Sequence, residues 1–118
     1  MEERITHIAL PEDWHHARSA GEYTVSTRGV SLAEEGFIHC SFDRQVERTA
    51  NAYYADLDRL VLLTIDTDRL EAPVVVEPPF PGAPDDFPHV YGAIPVSAVV
   101  AAEPWTRLGD TWLLDDQG

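Results

Sequence analysis

A chain of 118 residues, 44% of them hydrophobic, is long enough to bury its own core, and the expectation is one domain over residues 1–118. Eight Lys+Arg, every one of them arginine, face 21 Asp+Glu for a formal charge of -13; such a surface repels phosphate backbones and disfavours a nucleic-acid partner, leaving room only for a local arginine pocket. No apolar run reaches the ~18 residues of a membrane span, the opening MEERITHIAL lacks a signal-peptide apolar region, and the single cysteine, Cys40, excludes an intramolecular disulfide, so a cytoplasmic protein without membrane contact is expected.

ITHIAL (5–10) alternates as a strand, with Ile5, His7 and Ala9 on one face and Thr6, Ile8 and Leu10 on the other. Pro11 suits a first helical turn, and Glu12 and Asp13 suit its positive end. PEDWHHARSA is then a short helix stopped by Gly21, with Trp14 and Ala17 packed inward and His15 and His16 on the surface. SLAE (31–34) spells a capping box in which Ser31 caps and Glu34 reaches back, for a single turn that Gly36 ends.

FIHCS (37–41) follows as a short strand. Phe37, His39 and Ser41 share one face, while Gly36, Ile38 and Cys40 share the other. Ser41 is placed to cap a helix over 42–55 that carries Val46, Ala50, Tyr53 and Tyr54. LVLLTID (60–66) is apolar on both faces and reads as a central buried strand. PVVVE (73–77) is another strand. PPFPGAPDDFP (78–88), with five prolines, is a long irregular connection of the kind that is usually functional or mobile. HVYGAI (89–94) reads as a further strand, and AVVAAEPW (98–105) and TWLLDD (111–116) as a closing hairpin around RLGD. A strand, helices, a strand, a helix and then mostly strands make an α+β order.

Three of the five histidines, His7, His39 and His89, lie in or beside predicted strands. Taken alone, a strand histidine is more often a hydrogen-bonded core residue than a reactive one. The polar face of FIHCS nevertheless fits a cleft wall as well as a core. Glu77 and His89 flank the long loop, and Tyr91 shares a strand face with His89, which is the layout of a gated cleft. Three histidines and a carboxylate have the donor chemistry for zinc or iron, but the close-spaced pairs of helix-borne sites are absent and no metal is expected. Cys40 faces away from His39, so no neighbouring base activates its thiol. Neither a Gly-rich phosphate loop nor a GxSxG elbow is present.

Taken in order, THIA, SLAEEGFIHCS, LVLLTID, VVVE and FPHVYGAIP resemble a small bacterial single-domain family of unknown function of the DUF952 type, over nearly the whole chain from His7 to about Trp105. GFIHCS and FPHVYG are specific in combination and weak apart. The resemblance implies an ADP-ribosyltransferase-like fold, with split, curved β-sheets, two or three short helices and a cleft for NAD. The HCS of 39–41, followed by a helix and LVLLTID, is also similar to the middle of the NAD-dependent RNA 2'-phosphotransferases. That likeness implies His7 at the nicotinamide-ribose end of the cleft, His39 and Ser41 along the second strand, and Glu77 or a neighbour of His89 as the later polar residue. It departs in its cations: Arg18, Arg28 and Arg44 are the candidates for holding phosphates, and none stands in a matching motif.

The implied function is an enzyme handling NAD or an ADP-ribose-type nucleotide, by ADP-ribosyl transfer or NAD glycohydrolysis. His7, His39 and Glu77 are its candidate catalytic residues, and Ser41, His89, Tyr91 and Tyr23 its candidate ligand contacts. Tyr91 or Tyr23 is expected to stack on the nicotinamide ring. The alternative is a non-catalytic module of the same fold that binds a small ligand. Trp112, near the C-terminus, is a candidate for either the core or a homodimer contact.

Overall fold

Strand β1 (Arg4–Ala9) runs antiparallel to β6 (Arg59–Asp66), and β6 is flanked on its other side by β10 (Val99–Thr106), giving a three-stranded sheet of order β1-β6-β10. The computed structural model describes residues 4–114. Between β1 and β6 lie α1 (Pro11–Ala20), the short strands β2 (Glu22–Tyr23), β3 (Val25–Thr27) and β4 (Val30–Ser31), α2 (Leu32–Glu35), β5 (Ile38–His39) and α3 (Asp43–Tyr53). After β6 come a 3-10 turn (Thr67–Arg69), β7 (Val74–Glu77), β8 (Phe87–Val90), β9 (Ile94–Pro95) and a second 3-10 turn (Val96–Ala98). The chain therefore mixes a few helices with several antiparallel sheets, and the expected α+β order holds at that level.

Alternation along β1 and β6 divides the interior in two. Ile5, Ala9, Leu63 and Ile65 join Tyr23, Ile38, Cys40, Val90 and Ile94 in one apolar cluster. Ile8 and Leu60 join Val46, Ala50, Tyr54, Trp105 and Trp112 in the other. Because β6 has a core on each face, its near-continuous apolar run is what two-sided burial demands. Helix α1 behaves as expected: Ala17 is buried, Trp14 packs on the first cluster, His15 and His16 are exposed, and Gly21 ends the helix in the left-handed region at φ 92°. The Ser31–Glu34 capping box is formed in both directions, at 2.9 and 3.1 Å.

A second three-stranded sheet has the order β5-β8-β7. Its β5 edge does not stop at His39. Cys40 N–H still donates to Pro88 O at 3.0 Å, and then Ser41 turns to β1, exchanging backbone bonds with Thr6 at 2.8 Å each way. The FIHCS segment is thus a seam, with its first half paired to one sheet and its last residue to the other.

Four expectations need correction. Ser41 is not the cap of α3: its backbone is committed to Thr6, the N-cap is Phe42, and Gln45 Oε1 accepts the Phe42 N–H at 2.9 Å. On α3 the inward face is Gln45, Val46, Thr49 and Ala50, while Tyr53 is 66% exposed. HVYGAI is not one strand. Chain direction changes after Val90, where Tyr91 N–H bonds Pro73 O and a Cβ on Gly92 would stand 2.7 Å from Ala72 Cβ.

Among the described residues the closing hairpin is also absent. β10 pairs with β6, and beyond it Leu108 and Thr111 form a single bridge. Residues 112–114 form a strap across α3 instead, because side chains of that helix take the bonds a partner strand would have offered. Asn51 exchanges two hydrogen bonds with the Trp112 backbone, at 2.7 and 2.9 Å, and Glu47 accepts the Leu114 N–H at 2.8 Å. The last two residues of the expected strand, 115 and 116, lie outside the described residues.

Candidate functional site

A cleft of about 380 Å³ opens where the β3–β4 hairpin, the FIHCS seam, α3 and the β7–β8 loop meet. Its floor is the polar face of the seam, and Phe37, His39 and Ser41 all border it, as the alternation of FIHCS predicts. Ile38 and Cys40, on the other face, are buried in the first apolar cluster. Burial pushes the Cys40 thiol well above the usual range, so no thiolate is available there.

His39 does not stand alone. Register pairs it with His89 across β5 and β8, and β8 with β7 places Glu77 opposite Phe87. The side chains then form a chain: Glu77 Oε2 lies 2.7 Å from His89 Nδ1, and His89 Nε2 lies 3.3 Å from His39 Nδ1. A carboxylate can only accept, so His89 Nδ1 carries a proton. In the neutral ring His89 Nε2 is then an acceptor, His39 Nδ1 donates to it, and His39 is left with an unprotonated Nε2 as the nitrogen available to the cleft. Tyr91 donates its hydroxyl to the same Glu77 oxygen. That hydroxyl, and His89 after it, hold the Glu77 carboxyl below its ordinary range. Phe37 lies flat on His89, with ring centroids 4.0 Å apart at 13°, and separates it from the cleft.

His7 joins the chain through the backbone. Its Nδ1 donates to His39 O at 2.7 Å, which leaves Nε2 to accept the Tyr23 hydroxyl at 2.9 Å. Burial lowers its pKa to about 4, against a smaller opposing effect of the His39 carbonyl. Burial also lowers His39 to about 4, followed by the positive charges that His89 and His7 would carry. Both imidazoles are therefore neutral near pH 7.

The residues singled out in the sequence thus fall into two groups. His7, His39 and Ser41 border the cleft. Glu77, His89 and Tyr91 stand behind it, so Glu77 reaches the cleft only through the two histidines. Tyr23, 1% exposed, backs His7 rather than facing a ligand. Of the loop, Pro79 borders the cleft, while its far end is tied to α3 by Gln45 Nε2 on Asp85 Oδ2 (2.9 Å) and Asp86 O (2.7 Å). Arg44 joins that tie through Asp85, and Arg18 is exposed in the last turn of α1.

Of the opposite wall, sequence reasoning singled out Arg28 as a candidate ligand contact and missed the rest. Ser26, Thr27 and Arg28 on the β3–β4 hairpin, with Glu35, Thr49 and Tyr53, complete the lining. The available signal was VSTRGVS, an alternating run folded at Arg28-Gly29, where Gly29 takes φ 77°. Ser26 is fully buried, and its hydroxyl has no hydrogen-bond partner among the described residues. Among the same residues no three His, Cys, Asp or Glu side chains converge to hold a metal ion, and no helix is long and apolar enough to cross a membrane.

The chain belongs to the DUF952 family of proteins of unknown function, whose model matches residues 8–102. It is similar to the crystal structure of protein CC0527 from Caulobacter crescentus, with a TM-score of 0.78 and 29% identity over 93% of this chain and 92% of that one. The solution NMR structure of the same Caulobacter protein gives a TM-score of 0.75 at 28% identity, covering 92% and 90%. No curated protein matches the chain.

Proposed function

We propose that this DUF952 chain is an enzyme acting on a nucleotide-type ribosyl compound, of which NAD and ADP-ribose are the first to test, by ADP-ribosyl transfer or hydrolysis. The ADP-ribosyltransferase likeness of the sequence motifs supplies the substrate class. The single observation that carries the catalytic part is the Glu77–His89–His39 chain ending at the cleft floor. NAD would supply a labile bond between nicotinamide and ribose; everything else falls to the protein.

An imidazole with a pKa of about 4 is a poor resting place for a proton. The chain offers an alternative. When His39 Nε2 accepts a proton from an attacking hydroxyl or water, its Nδ1 proton passes to His89 Nε2. The positive charge then rests on His89, whose Nδ1 is held by the Glu77 carboxylate. Glu77 acts here as a positioning residue, fixing one tautomer of each ring. Hydroxyls of Ser41, Thr27 and Thr49 and the rings of Phe37, Tyr53 and Phe87 line the remaining space, a mixture suited to a sugar joined to a flat base.

Nicotinamide release from NAD, followed over time, tests the reading. Wild type should turn over. His39→Ala should lose activity by about 10²–10⁴-fold, the usual contribution of a general base, and Glu77→Gln should lose much of it while still binding ligand. Binding without product favours the rival reading, a non-catalytic small-ligand module, which is itself supported by Glu77 standing off the cleft. Neither binding nor product overturns NAD as the substrate.

A further inference from the structure

We infer that the cleft takes a phosphate-free nucleoside with a neutral or cationic aromatic base, and discriminates against the same compound carrying a phosphate or diphosphate. The inference rests on the ribosyl part of the reading above and moves its substrate from NAD and ADP-ribose to the nucleoside, so that cleavage of a nucleoside's base–ribose bond takes the place of ADP-ribosyl transfer.

Charge is the first ground. Among the described residues Arg28 is the one arginine that borders the cleft. Both of its terminal nitrogens are already held by Asp56, at 2.9 and 2.8 Å, and its guanidinium lies 5.7 Å from the centre of the Tyr54 ring. A phosphate would have to displace a bidentate carboxylate from the guanidinium it needs. The cleft's other ionised side chain is Glu35, within a chain of formal charge -13. The field at the opening therefore favours a cation over an anion.

Shape and lining are the second ground. About 380 Å³ lies at the small end of the range of ~300–1,000 Å³ for ligand pockets, which suits one nucleoside rather than a dinucleotide. Phe37, Tyr53 and Phe87 put three aromatic rings in the lining, an environment suited to a flat or positively charged base. Thr27 and Thr49 add hydroxyls beside these rings.

Calorimetry of the full chain at low salt with nicotinamide riboside, uridine, NAD and ADP-ribose tests the inference. Nicotinamide riboside, the cation, should bind about tenfold or more tightly than NAD or ADP-ribose, a difference of about 1.4 kcal/mol, with uridine between them. Glu35→Gln should weaken the riboside more than uridine. Asp56→Asn, at an exposed position, should free Arg28 and raise the affinity for ADP-ribose. Tighter binding of NAD or ADP-ribose than of the riboside overturns the inference and leaves the ribosyl reading intact. Riboside binding without cleavage supports the inference and removes the enzyme. Failure of all four compounds overturns inference and reading together.

Discussion

The two three-stranded sheets use the same antiparallel pairing for different ends. In β1-β6-β10 the central strand sends Leu60 into one core and Leu63 and Ile65 into the other, all 1% exposed or less. In β5-β8-β7 the central strand buries His89 at 1% exposure, between His39 on one neighbour and Glu77 on the other. Non-directional apolar packing holds the first sheet, whereas the second is held in part by directional bonds that also dictate which nitrogen carries a proton. The polar chain is thus confined to the second sheet, although Ile38 and Val90 of that sheet also enter the first apolar cluster, and the FIHCS seam is where the two sheets are joined.

Substitution in the apolar half should show the largest effect. Trp112 is fully buried, touches Trp105 at 5.0 Å between ring centres, and donates its indole N–H to Tyr54 O at 2.9 Å. Trp112→Ala should cost about 3–5 kcal/mol, the usual range for emptying such a site, measured by denaturant unfolding. A loss under ~1 kcal/mol would mean that the second cluster contributes far less than its burial implies. The same burial places Trp112 in the core and not at a homodimer contact.

Acid should act next, through the buried histidines at the seam between the two sheets. His7 is neutral when folded down to about pH 4, but protonates near 6.5 once unfolded. Between those values the unfolded chain binds more protons, so stability is full above about 6.5 and falls as pH drops towards 4, by on the order of 3 kcal/mol for His7. His39 acts in the same direction. Asp85 has the opposite kind of shift: the Arg44 guanidinium, then Gln45, hold its carboxyl down to about 2, so its contribution is lost only at lower pH, below the ordinary carboxylate range. Unfolding midpoints recorded against pH should therefore slope between 6.5 and 4, and His7→Gln should flatten that slope by about one proton. An unchanged slope would show that His7 takes up its proton while folded.

The smallest effect is expected on the free edge of the polar sheet. Val76 on β7 is 52% exposed. Val76→Thr should change stability by no more than ~0.5 kcal/mol. A larger loss would show that something covers this edge in solution.

Elements whose signals are local were legible in the sequence. The two-faced burial of β1 and β6, the Ser31–Glu34 box and the division of FIHCS into a cleft face and a core face all follow from alternation and capping. What stayed hidden depended on partners far along the chain. The strap at 112–114 exists because Asn51, 61 residues before Trp112, supplies its bonds. His39 and His89 were both candidates, but their meeting depends on a register of β5 against β8 that periodicity does not specify. Ser26 and Thr27 lie together on the three-residue β3, paired with the two-residue β4, so the brief VSTRGVS alternation gives no sign of what the hairpin packs against.

Cys40 gives the seam a clock. It is the only thiol in the chain, 1% exposed, set between His39 and Ser41, and its N–H is bonded to Pro88 O. A sulfhydryl reagent cannot modify it while the sheets are joined. Modification proceeds only in molecules whose seam has parted, so the labelling rate under native conditions reads out how often that happens. The protein carries its own reporter of local opening at the place where its two sheets meet, and a cleft ligand that clamps the seam should slow it.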